Sequence, residues 1–230
     1  MLSRLLSLER RRSKLARLAP AGPLRDFLST PFPNRERDCR EVDYVALDLE
    51  TTGLNAQADA IVSVGMVSLH GVRIDLATAR HCIVRVDQGI PEKSVIIHRL
   101  THDTVAQGQS LELVLGEILA HLAGKAMIAH HAHVEFSFLR AACAKVFHGD
   151  FLVPIVDTQH LARRWLERRD KPYTSSELRL FNLRARYNLP RYPAHNALSD
   201  ALAAGELFTA QVAERDCNQR LPLKDFLVRL

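Results

Sequence analysis

From residue 42 onward the apolar periodicity of the chain changes in a way that leaves few folds open. Residues 42–49 (VDYVALDL) form a short, mainly apolar run of the kind that makes a buried strand. Residues 60–69 (AIVSVGMVSL) read as a second strand and residues 79–86 as a third, with Gly71 turning the chain between them. Beyond these, Leu111, Val114, Leu115, Ile118, Leu119 and Leu122 recur at helical spacing. A short strand is expected at 125–129, a helix at 134–147 and another short strand from 154 to 156. Further helices are expected at about 158–168, 177–187 and 198–214. Three strands followed by alternating helices and short strands predict an α/β layer fold with a mixed sheet.

The first forty residues differ in kind. Leu2, Leu5, Leu6, Leu15 and Leu18 are mixed with Arg4, Arg10, Arg11, Arg12, Lys14 and Arg17, which predicts a basic helix ending near Pro20. Pro20, Gly22 and Pro23 then break it, and Pro31 and Pro33 mark an extended connector. Such a segment is either an arm for nucleic acid or a partner protein, or a solvated helix lying on the domain. The expected division is a basic helical arm and linker at 1–40, one domain at 41–215 and a short tail at 216–230.

Bulk properties narrow the classes. With 47% apolar residues, 230 residues suffice for an ordinary core. A net charge of +5 suits a polyanionic partner without requiring one. Cys39, Cys82, Cys143 and Cys217 lie far apart with no CxxC pair, which argues against a zinc knuckle or a disulfide framework and suits a reducing compartment, so a cytoplasmic location is expected. No apolar run is long enough to span a membrane, and the N-terminal stretch lacks the apolar centre of a signal peptide.

The chemistry lies in the acids. Asp48 and Glu50 stand two apart on a strand and therefore point to one face. Two carboxylates so close repel unless a positive charge sits between them, and a divalent cation with oxygen ligands meets that need. Thr51, Thr52 and Gly53 beside them let a ligand approach the backbone; the alternative is a strand end whose acids face water. Asp200, on a late helix, is a third candidate, and His195 just ahead of that helix could take a proton from water. Taken alone, that segment reads equally as a helix start with a surface acid. Glu135 lies early in another helix, after His130, His131 and His133. Three close histidines raise a zinc site as a rival, but their spacing fits no zinc pattern. Asp157 reads as the cap of the helix near Thr158.

Four segments in order carry a resemblance. They are Leu47-Asp48-Leu49-Glu50-Thr51-Thr52-Gly53-Leu54, Ile97-His98-Arg99-Leu100-Thr101, Ala129-His130-His131-Ala132-His133-Val134-Glu135-Phe136, and His195-Asn196-Ala197-Leu198-Ser199-Asp200. Together they resemble the DEDDh (DnaQ-like) 3′–5′ exonuclease family, that of the proofreading epsilon subunit of DNA polymerase III, over about 42–211. The resemblance implies a ribonuclease-H-like fold, a mixed sheet flanked by helices, and hydrolysis at a 3′ end. It implies two divalent ions, Mg²⁺ or Mn²⁺, held by Asp48, Glu50, Glu135 and Asp200, with His195 as general base. Thr51, Thr52, Gly53 and Leu54 would lie against the terminal nucleotide, and His98 would help hold it. The chain departs from the family at Glu135, where the usual residue is Asp; the extra methylene can move the carboxylate by over about 1 Å, and displacements of that size can cost about 100-fold in rate. The implied partner is nucleic acid with a free 3′ end, single-stranded DNA first, with a DNA polymerase subunit or repair protein docking through 1–40 and no membrane. RNA trimming and a catalytically silent nucleic-acid-binding module are the alternatives.

Overall fold

The computed structural model describes residues 8–86, 102–193, 195–215 and 219–228. Strands β1 (Asp43–Thr51), β2 (Ile61–His70) and β3 (Arg73–Ile83) form an antiparallel meander. Strand β4 (Ala126–Ala129) joins β1 in parallel and β5 (Ile155–Asp157) joins β4 in parallel, giving the order β3-β2-β1-β4-β5. This is the mixed sheet the periodicity predicts. Gly71 makes the β2–β3 turn at φ 58°, and a Cβ there would sit 2.0 Å from the Arg40 carbonyl oxygen, so glycine is required twice over.

The helices are α1 (Leu8–Leu18), α2 (Pro23–Ser29), α3 (His102–Ala106), α4 (Leu111–Leu122), α5 (His133–Phe147), α6 (Thr158–Arg168), α7 (Leu180–Arg186) and α8 (Ala197–Ala213). Those marked by apolar spacing lie within a few residues of expectation. Helix α2 corrects the reading of residues 20–33 as an extended connector. Pro23 opens a helix instead of breaking one, because its fixed φ suits the first turn and its missing N–H has no partner to lose there. Leu24, Phe27 and Leu28 are buried against α4, α5 and the sheet, and the Phe27 ring stacks on Phe151 at 5.6 Å.

Alternation along β1 decides where the acids point. Val45, Leu47 and Leu49 pack on the face covered by α2, α4 and α5. Tyr44 and Ala46 pack on the other, where the Tyr44 ring meets Phe208 of α8 at 5.0 Å. Asp48 and Glu50 continue the second set and so lie on the α8 face.

Residues 35–39 and 221–224 run side by side. The Cys39 N–H donates to the Leu221 carbonyl and the Leu223 N–H to the Arg37 carbonyl, both at 2.8 Å. The Asp38 carboxylate accepts from the Leu221 N–H and pairs with Arg40, which holds its pKa well below the usual carboxylate range. Phe226 packs edge-on against Phe208. Among the described residues, no helix is long and apolar enough to cross a membrane.

Candidate active site

Strand β1 outruns its parallel neighbour. Pairing with β4 stops at Ala46, so Asp48 and Glu50 stand past the carboxyl end of β4, at the edge where parallel sheets open a crevice. On the other side Asp48 lies opposite Gly65 of β2. A Cβ on Gly65 would come 2.1 Å from the backbone carbonyl of Ala197, so glycine there lets the first turn of α8 rest on the sheet. Asp200, in that first turn, is thereby delivered beside Asp48 and Glu50. One carboxylate oxygen from each of the three lies within 4.8 Å of the others.

The start of α8 is built to hold Asp200. Asn196 caps it, its side-chain oxygen accepting from the Ser199 N–H at 3.0 Å. His195 takes a left-handed backbone at φ 65° and its N–H donates to Asp200 Oδ2 at 3.1 Å. The other oxygen, Asp200 Oδ1, is buried without a hydrogen-bond partner.

Glu135 enters from the carboxyl end of β4, in the first turn of α5, and is buried. It lies outside the tight trio, but its charge is felt by Asp48 and it feels that of Glu50, and its Oε2 also lacks a hydrogen-bond partner. The loop before it is tied down by Asp157, which does more than cap α6. Its carboxylate accepts from the Gln159 and His160 N–H groups of that cap and also from the His131 and Ala132 N–H groups at 3.2 and 3.1 Å. His131 sits there at φ 65°, a left-handed conformation. Sequence reasoning missed this second role of Asp157, because the partner loop is remote in the chain.

The electrostatics are those of crowded, desolvated acids. Burial is the first cause in each case, pushing Glu50 up to about 7, Glu135 to about 8 and Asp200 to about 6. Asp48 is raised well above its ordinary value, by burial and then by Glu135, Glu50 and Asp200. The trio offers only oxygen donors, and Asp200 Oδ1 and Glu135 Oε2 are among the buried carboxylate oxygens with no hydrogen-bond partner, so the residues fit hard divalent cations. Among the described residues, the histidines of 130–133 do not gather into a metal-ligand group. His130 bridges the Thr158 hydroxyl and the Leu178 carbonyl, and burial lowers its pKa to about 4; His131 bonds Gln159.

The Thr51–Leu54 segment is a loop closed by Asp59, another residue the sequence did not mark. The Asn55 N–H donates to Asp59 Oδ2 at 2.8 Å, and Thr52 hydrogen-bonds Ala60. Gly53 is pressed on the Asp59 carboxylate. Leu54 is left 85% exposed, an apolar side chain held out beside the acids. Arg184, also missed, is buried and donates to the Pro190 and Ala203 carbonyls and to Glu206, fixing the approach to His195. His98 and the 97–101 segment lie outside the described residues.

The sequence and the fold both have relatives among known proteins. A family model described as Exonuclease (RNase_T) matches residues 45–208. DNA polymerase III PolC-type of Thermotoga maritima is 32% identical over 73% of this chain, and the match covers 12% of that protein. DNA polymerase III subunit epsilon of Treponema pallidum is 27% identical over 75% of this chain and 77% of its own length. Among solved structures, the nuclease domain of 3′hExo, a DEDDh family member, bound to rAMP, superposes with a TM-score of 0.66 at 13% identity over 84% of this chain and 98% of that domain. The chain thus spans about an eighth of the PolC-type relative and most of the epsilon subunit.

Proposed function

Since the chain belongs to the RNase_T exonuclease family, we propose that it is a divalent-metal-dependent 3′–5′ exonuclease that shortens single-stranded DNA ends to nucleoside 5′-monophosphates. The observation that carries this reading is the convergence of Asp48, Glu50 and Asp200 within 4.8 Å at the carboxyl edge of the sheet. DNA is favoured over RNA because the curated relatives include DNA polymerase III proteins, and proofreading or repair is the setting in which such an activity is used.

Asp48, Glu50, Glu135 and Asp200 would hold two divalent ions, Mg²⁺ or Mn²⁺. Such ions, when bound, neutralise phosphate charge and make water acidic enough to be a nucleophile near neutral pH. Glu135 keeps the charge of the usual Asp while reaching one methylene further. His195 would accept the proton of the attacking water as its oxygen bonds to phosphorus and the bond to the 3′ oxygen of the preceding nucleotide breaks. The Thr51–Gly53 backbone and Leu54 would seat the terminal nucleotide, with His98 as a further contact. A polymerase or repair protein would present the 3′ end.

The test is release of mononucleotides from a 3′-labelled oligonucleotide, as matched DNA and RNA, with and without Mn²⁺. Asp48→Ala should abolish cleavage with the fold intact. His195→Ala should lower kcat by about 100-fold or more, in the range of general-base losses, with little change in KM. Cleavage retained by Asp48→Ala would overturn the assignment.

A further inference from the structure

We propose that the strand leading to the 3′ end is held beyond the active site, along the outer face of α5 and then by its phosphates on the exposed basic face of α1. This rests on the exonuclease reading and adds a binding surface to it.

A groove of about 740 Å³ lies between residues 56–57 and one face of α5, lined by His133, Phe136, Arg140 and Ala144 and ending at His148–Asp150. Its near end adjoins the candidate site. Ala56 and Gln57 follow the exposed Leu54, and His133 stands in the same first turn of α5 as Glu135. Its far end meets the N-terminal helices, since a Cβ on Gly149 would lie 2.7 Å from the Leu24 side chain and 3.7 Å from Ala19. Ala19 is the residue after α1. Helix α5 has 15 residues, about 22 Å of rise, room for several nucleotides at about 3.4 Å or more each.

Helix α1 supplies the charge at the end of this track. Its 11 residues, LERRRSKLARL, carry five cations against one acid, most of the chain's net +5. Arg12 turns inward, pairing with Glu9 and donating to the Leu28 carbonyl. Arg11, Lys14 and Arg17 are exposed on a common side of the helix. Leu18 is the one large apolar side chain of the helix that is strongly exposed, at 69%, so the face is cationic more than apolar. That composition suits phosphates better than the desolvated centre of a protein interface. Along the groove, Arg140 pairs with Asp150 at 2.6 Å on its exposed rim, where a phosphate can compete for it. Helix α1 lies outside the residues that match the family.

The test uses the full chain with Arg11→Gln, Lys14→Gln and Arg17→Gln combined, exchanges that keep helix propensity. Binding of a 20-nucleotide fluorescein-labelled oligothymidylate is measured by anisotropy in EDTA across a salt series, and hydrolysis of the p-nitrophenyl ester of thymidine 5′-phosphate is measured with Mn²⁺. The variant should bind the oligonucleotide about 10-fold or more weakly, with a salt slope flatter by about 2, since each phosphate contact on a single strand contributes about 0.7. Hydrolysis of the small ester, which occupies only the active site, should be unchanged. Equal affinity and equal slope for wild type and variant would overturn the proposal and leave the α1 face to a protein partner. Failure of the wild type to hydrolyse the ester would instead count against the exonuclease reading, and the EDTA binding comparison would still decide this one.

Discussion

The acid cluster stores unfavourable electrostatics, and that storage has a sign. The carboxyls of Glu50, Glu135 and Asp200 rise from ordinary values of 4.5, 4.5 and 3.8 to about 7, 8 and 6. A group whose folded pKa exceeds its unfolded one binds more protons in the native state, so stability is lost as pH climbs between the two values. In chelator, the melting temperature should therefore fall from pH 5 to pH 8.5, and added Mn²⁺ should raise it most at the alkaline end, where the ligands are already deprotonated. A chelated protein whose melting point stays flat or climbs over that range would refute this account of the cluster. Replacing Glu135 by Gln removes a buried charge without changing shape. At pH 8.5 in chelator this should raise the melting temperature by a few degrees, while kcat for exonucleolytic release should drop by about 100-fold. Scanning fluorimetry and single-turnover kinetics on the same preparation separate the two effects.

At the scale of elements, the site depends on how closely α8 lies on β2. Gly65→Ala places a methyl group where the Ala197 backbone now is, so the first turn of α8 must move and carry Asp200 with it. The expected outcome is a modest stability loss, about 1–3 kcal/mol by denaturant unfolding. Activity should fall much further, by about 100-fold. An alanine variant with native kcat would show that Asp200 is not held by this contact. Gly65 was illegible in the sequence because its partner lies far along the chain, and a glycine inside VSVGMVS looks only like a weak strand residue. The acids were legible for the opposite reason. Asp48 and Glu50 announce a shared face by local spacing, Asp157 its cap by its place before a helix, and α4, α5, α6 and α8 themselves by apolar repeats of their own. Helix α2 fell between these signals. It is 7 residues long and bracketed by prolines, so burial of Leu24, Phe27 and Leu28, not propensity, makes it a helix. The clue was present in that triplet's spacing and in Pro23 at the first position.

For the whole molecule, the consequence is that residues 23–32 belong physically to the main core: Phe27 is 1% exposed between Phe32 and Phe151. Phe27→Ala should cost about 3–5 kcal/mol in urea unfolding, as core aromatics do. A loss below about 1 kcal/mol would mean that the segment is a detachable appendage after all. The pairing of residues 35–39 with 221–224 has a different kind of consequence. The sheet and helices α3 to α8 sit inside a loop of chain whose two ends are clasped by these hydrogen bonds, so peeling away either flank uncovers the other.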